Sequence, residues 1–179
     1  HTNQIVDDML TVARLEAGQL RLDRKEVDLL KIVHDAVSMF PDTVRVDSSA
    51  ARSVGSVDEV RLRQSVLALS HNAKRYGGPS ISVSLRQSAT ANIIAVEDDG
   101  PGLSPEEKSK AFDRFFRGSN ASGQGIEGSG LGLPVVKSIV LAHGGTVELE
   151  DPDAGGLRVV MKIPKEPREQ PVRTDVGPG

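Results

Sequence analysis

Cysteine and tryptophan are both missing from this 179-residue sequence, and only 3% of it is aromatic. Without thiols the chain has neither a disulfide scaffold nor a thiolate–metal centre. With so few rings, its core must be aliphatic, built from Val, Leu, Ile and Ala. Excess positive charge is missing too: 22 Lys+Arg stand against 25 Asp+Glu, a net charge of −3. Broad nucleic-acid binding needs a basic face that displaces counterions, so no nucleic-acid partner is expected. No apolar run approaches the roughly 18–20 residues of a membrane span, and no signal-peptide pattern opens the sequence, so these residues read as soluble. The length suits one domain plus an appendage and supports a core without covalent or metal staples.

Periodicity then sets out the elements. Residues 2–17 predict a helix with Ile5, Met9, Val12 and Leu15 on one narrow apolar stripe and Gly18 as its stop. One stripe needs a partner: a longer helical bundle is expected, with packing on the domain as the alternative. Residues 19–26 read as a linker. Leu29, Ile32, Val33, Ala36 and Val37 predict a helix ending before Pro41, and 43–47 alternates as a strand. Asp58 caps a long helix with Val60, Leu62, Val66, Leu67 and Leu69 on its apolar side, running to Tyr76. Ile81, Val83 and Leu85 alternate, and 92–97 follows after a short link, which predicts a hairpin. Ser104 and Glu107 form a capping box. Residues 117–130 hold five glycines and read as a flexible excursion. Residues 131–143 resume a helical pattern, and 147–149 and 157–163 are two more strands. The tail, 165–179, is expected to fray. Together these predict an α+β two-layer sandwich, a mixed, mostly antiparallel sheet covered on one face by helices.

Three segments carry chemistry. Asn72 and Arg75 are three apart on the long helix and share a face; an amide oxygen there suits a hard cation and a guanidinium suits phosphate, while a solvated polar face is the plainer reading. Asp98-Asp99-Gly100-Pro101-Gly102-Leu103 follows the apolar strand. A carboxylate at a strand end can accept from an amino group, with glycines admitting a ring close to backbone; a plain Asp-Gly turn is the alternative. Gly128-Ser129-Gly130-Leu131-Gly132-Leu133 opens a helix, where backbone N–H groups can cradle phosphates. A P-loop is excluded because no Gly-Lys-Ser/Thr ending exists. A dinucleotide fingerprint, with Glu150 near the position of a ribose-binding acid, lacks its leading strand.

In order and spacing these segments resemble the N, G1 and G2 boxes of the sensor histidine kinase catalytic domain, of the Bergerat (GHKL) ATPase superfamily. Phe112-Asp113-Arg114-Phe115-Phe116-Arg117 is similar to that family's F box, and Ala13–Gly18 to the end of the second helix of the dimerisation and phosphoacceptor hairpin. The resemblance implies domains at 1–18 (hairpin end), 19–26 (linker) and 27–164 (ATP-binding domain). It implies that Asn72 ligates Mg²⁺ on the phosphates of ATP and that Arg75 contacts phosphate, with Lys74 and Tyr76 close by. Asp98 would bind the adenine amino group, with Gly100, Gly102 and Leu103 shaping that pocket. Either Arg114 or Arg117 would bring charge to the γ-phosphate. Residues 115–129 would form a lid, and Gly128, Ser129, Gly130, Leu131, Gly132 and Leu133 would support phosphates and hinge.

Two departures qualify what the resemblance implies. Ala68 stands where the family often has a second Asn, which removes a polar contact. The four histidines, His1, His34, His71 and His143, lack the family's phosphoacceptor setting. His143 reads as structural or as a helix-end cation, and His34 as surface or packing. The chain is therefore expected to bind ATP without labelling itself. Its implied partners are a phosphoacceptor hairpin, a response regulator and a second copy in the intact protein. Its implied place is a cytoplasmic domain of a membrane-anchored protein. An anti-sigma type serine kinase and a conformational ATPase are the alternatives; the second lacks a water-activating Glu in 64–76.

Overall fold

The computed structural model describes residues 2–49, 52–117 and 130–166, with side chains from Val6 onward. The chain order is α1 (Thr2–Glu16), β1 (Arg24–Asp28), α2 (Leu29–Val37), β2 (Val44–Ser48), β3 (Val54–Asp58), α3 (Glu59–Tyr76), β4 (Ile81–Gln87) and β5 (Ala91–Asp98). Then come α4 (Pro105–Lys110), α5 (Gly132–Ala142), β6 (Thr146–Glu150) and β7 (Leu157–Pro164). Side-chain caps start three of the helices: Asp28 accepts from Leu30 N–H, Asp58 from Arg61 N–H, and Ser104 with Glu107 forms the reciprocal capping box. Each satisfies donors that the first helical turn leaves open.

The main sheet runs β2-β4-β5-β7-β6, parallel only between β2 and β4. Its inner face presents Ile81, Val83, Leu85, Ile94, Val96, Met161 and Ile163 to α2, α3 and α5, in one aliphatic core. The opposite face carries Ser82, Ser84, Glu97 and Arg158; Arg158 pairs with Glu97 at 2.5 Å and Glu150 at 3.4 Å. The core face is apolar and takes the helical layer, while the opposite face is mixed, with Ile93, Ala95 and Val160 among its polar residues. The architecture is the two-layer, mostly antiparallel sandwich expected.

Three details differ from the sequence reading. A separate ribbon pairs β1 with β3, from Arg24↔Asp58 to Asp28↔Val54, so a strand begins inside the segment read as a linker. Both strands are short and interrupted, β1 by charges and β3 by Gly55-Ser56, so neither announces itself by alternation. Val60 is 66% exposed, because Leu62, Val66, Leu69 and Ala73 define the buried face and Val60 lies about 200° around the helix from Leu62. Among the described side chains of α1, which do not include Ile5, the buried ones are Thr11 and Val12, whereas Met9 is 46% exposed. Val12 packs with Val135 and Ile139 of α5, so the helix rests on the domain along a narrow contact. Two polar contacts join it to α3: Arg61 Nη1 to Thr11 Oγ1 at 3.3 Å and Gln64 Nε2 to Asp8 Oδ1 at 3.5 Å.

His143 is fully buried at the end of α5. Its Nδ1 lies 2.8 Å from the Ile139 carbonyl, and its Nε2 accepts from Asp58 N–H at 3.0 Å. One nitrogen must donate and the other accept, which fixes the neutral Nδ1–H tautomer. Burial pushes its pKa down, the Ile139 carbonyl opposes this, Arg24 adds to it and Asp58 counters. The imidazole is therefore a structural bridge and not a helix-end cation. His34 is exposed on α2.

Candidate functional site

A cavity of about 770 Å³ opens between α3, α5, the loop after β5 and the segment following α4, with Asp8 of α1 at its rim. Leu103, Leu133, Val96, Leu157 and Val159 give it apolar walls. Asn72, Arg75, Tyr76, Asp98, Gly102, Arg117, Gly130 and Gly132 line it too, so the strand-end carboxylate and the helix amide share one hollow.

Asp98 ends β5 and is only 8% exposed. Its Oδ1 accepts from Gly100 N–H at 2.9 Å. Burial raises its pKa, hydrogen bonds from the Gly100 and Leu157 N–H groups oppose the rise, and the nearby Asp99 and Glu97 charges add to it. The wall around it is backbone. A Cβ at Gly77 would come within 2.5 Å of the Asp98 carboxyl carbon, and one at Gly100 within 2.5 Å of the Gly77 Cα. A Cβ at Gly156 would strike the Asp98 carbonyl oxygen, and Gly156 also has φ +100°. Sequence reasoning missed Gly77, Gly156, Leu157 and Val159 as parts of this site. Gly77 and Gly156 each belong to a Gly-Gly pair, Gly77-Gly78 and Gly155-Gly156, whose ordinary meaning in a sequence is a helix stop or a turn.

Asn72 sits on α3 directly under the start of α5: a Cβ at Gly132 would lie 3.3 Å from its amide nitrogen and oxygen. Glycine at that position leaves the amide uncovered. Ala68, one turn earlier, lines the same cavity. His71 lines it as well and stands edge-on to Phe40, ring centroids 5.0 Å apart. Its pKa is lowered by burial first and then by Arg75 and Lys74.

Several expected residues are placed elsewhere. Lys74 lies over the Phe40 ring at 5.3 Å and is not in the cavity lining. It stands two positions after Asn72, and residues two apart on a helix do not share a face. Arg114 pairs with Glu16 at the end of α1 and does not line the cavity. Arg117 does, and its Nε and Nη2 are buried with no hydrogen-bond partner among the described residues. Buried donors are normally satisfied, so this guanidinium is open to an acceptor that the described residues do not supply. Leu131 is fully buried in the core, and Gly100 supports Asp98 from behind the lining. Gly128, Ser129 and all but the first three residues of the expected lid lie outside the described residues. Among the described residues no cluster of three or more His, Cys, Asp or Glu gathers, and no helix is long and apolar enough to cross a membrane.

Residues 57–167 match the family described as histidine kinase-, DNA gyrase B- and HSP90-like ATPase. That span is more than half of the chain, and the chain belongs to this ATPase family. Within it, the similarity is to sensor kinases. The signal transduction histidine-protein kinase AfsQ2 of Streptomyces coelicolor is 32% identical over 98% of this chain and 33% of its own length. The sensor protein RstB of Escherichia coli is 36% identical over 89% of this chain and 38% of its own. The solved structure of the Acinetobacter baumannii histidine kinase AdeS superposes with a TM-score of 0.74 at 26% identity, covering 90% of this chain and 77% of that one. This is a histidine kinase-type, ATP-binding domain, and it spans roughly a third of the length of these two curated relatives.

Proposed function

We propose that this chain binds Mg·ATP in the cavity and passes the γ-phosphoryl group to a histidine of a helical hairpin to which α1 belongs. The phosphoryl group then moves to an Asp of a response regulator. In the intact protein two copies pair through that hairpin, and the ATP-binding domain faces the cytoplasm below a membrane anchor. The observation that carries the reading is the shared cavity: Asn72, Arg117 and Asp98 line one hollow together with apolar residues such as Leu103, Leu133 and Val159. Asp98 would accept from the adenine amino group, and the backbone wall built by Gly77, Gly100 and Gly156 would let the base approach its carboxylate.

The residues fit Mg²⁺. It keeps several waters and binds mainly through substrate phosphates, and the Asn72 amide, beside Gly132 and its missing side chain, would add one protein oxygen to that shell. Bound there, it would neutralise charge on the phosphates. Phosphoryl transfer asks the protein mainly for positioning and charge stabilisation. The unpartnered Arg117 guanidinium supplies the second and Asn72 the first. In the transfer itself an imidazole nitrogen forms the new N–P bond, the bond to the bridging oxygen breaks, ADP departs, and the imidazole proton passes to a base on the hairpin. Ala68 leaves no acid on that helix face to activate water, which weighs against hydrolysis coupled to shape change.

The test mixes the chain with γ-labelled ATP and a separately produced phosphoacceptor hairpin. Acid-labile, base-stable label on the hairpin histidine, with none on this chain alone, is the expected outcome. Label on a serine of an added partner, or strong self-labelling, overturns it.

A further inference from the structure

The described ends of the excursion at 118–129 meet at one point. Phe115 N–H donates to the Gly130 carbonyl at 3.1 Å, and a Cβ on Gly130 would lie 2.6 Å from the Phe115 backbone. Gly130 has φ +69°, which glycine adopts freely, but Phe115 has φ +62° and is the one described non-glycine residue with positive φ. For a bulky aromatic residue this is a strained conformation, held only where its surroundings over-determine it. The reversal sends the two neighbouring arginines apart. Arg114 meets Glu16, while Arg117 lines the cavity with its buried Nε and Nη2 unpartnered among the described residues.

Glu16 is itself poorly placed by local rules. It is the last residue of α1, where the helix dipole favours cations, so an acid there is unfavourable without a partner. Arg114 is that partner. Both side chains are substantially exposed, 41% and 63%, so the pair is a tunable contact and not a structural pillar.

We infer that the Glu16–Arg114 pair is a latch through which the docked position of α1 sets the Phe115 hinge and thereby holds Arg117 towards the terminal phosphate. This rests on the Mg·ATP reading above. With α1 docked, Arg117 is presented and triphosphate binding is favoured over diphosphate. By linkage, a triphosphate in the cavity tightens α1 on the domain by the same factor. The reacting end of the nucleotide thus reports on the helix nearest the acceptor.

The experiment measures Mg·AMPPNP and Mg·ADP affinities of the chain by calorimetry. Glu16→Arg and Arg114→Glu should each reduce the preference for AMPPNP over ADP by about two- to fivefold, the range of an exposed ion pair, and the double exchange should restore it. A preference unchanged by both single exchanges, or lost and not restored in the double exchange, overturns the latch. Arg117→Ala distinguishes the two failures. If it lowers the preference while the exchanges do not, the site reading stands and the latch falls. If Arg117→Ala leaves the preference intact, Arg117 is not at the terminal phosphate and both fall.

Discussion

Acid should destabilise this fold through a single buried imidazole, His143. In the fold it is neutral, donating from Nδ1 and accepting at Nε2 from Asp58 N–H, and its pKa lies below the ordinary 6.5. The unfolded chain therefore binds more protons than the folded one wherever the pH lies between the two values. Stability from this group is complete above about pH 6.5 and declines as the pH falls through that value towards the folded pKa, by at most about 1.4 kcal/mol per pH unit. Protonation also turns Nε2 into a donor facing the Asp58 N–H, which removes the bond joining α5 to the cap of α3. Denaturant unfolding measured from about pH 8 down to pH 5 reads this directly, since the slope is set by the difference in bound protons. His143→Gln, which does not titrate there, should flatten the difference between the two ends of that range. His143→Ala should cost about 3–5 kcal/mol, combining the void with an orphaned Asp58 N–H. An imidazole resonance titrating at the ordinary value, or an identical pH slope in His143→Gln, would refute the reasoning. His71, also shifted down, contributes with the same sign but cancels in that comparison.

Asp98→Asn should bind ATP roughly 10–100-fold more weakly and lose its preference over GTP, read by competition with a fluorescent nucleotide, because a charge-assisted bond to the base is removed. Asn72→Ala should abolish the difference in ATP affinity with and without Mg²⁺, leaving a residual metal-independent term measurable by calorimetry. Gly156→Ala should lower stability by about 1–3 kcal/mol from the left-handed backbone alone, with the Asp98 contact adding to it, and a thermal melt would show the loss. Lys74→Ala should leave ATP affinity unchanged and cost only about 0.5–1 kcal/mol of stability, the worth of its place over Phe40.

What the sequence made legible was local. Asp28, Asp58 and the Ser104–Glu107 box announce helix starts because a cap is a contact across three residues. The β4–β5 hairpin was legible for the same reason. The β1–β3 ribbon was not, since its partners are about thirty residues apart and neither strand alternates cleanly. In the site, helix geometry alone was enough to pair Asn72 with Arg75, whereas the resemblance implied a place near the nucleotide for Lys74 that its position over Phe40 does not give it. Nothing in the order of Arg114 and Arg117 separates them; only the backbone reversal at Phe115 sends one to α1 and the other inward. The glycines behind Asp98 come from three separate loops, so their convergence is a property of the tertiary structure.

That convergence limits how recognition at this end of the hollow can be altered. Three glycines offer no side chain to enlarge, shrink or recharge, and a substituent at Gly77, Gly100 or Gly156 collides with its neighbours before it reaches a guest molecule. New base preferences must therefore be sought at Asp98 itself or among the aliphatic residues that line the same hollow, Leu103 and Val159.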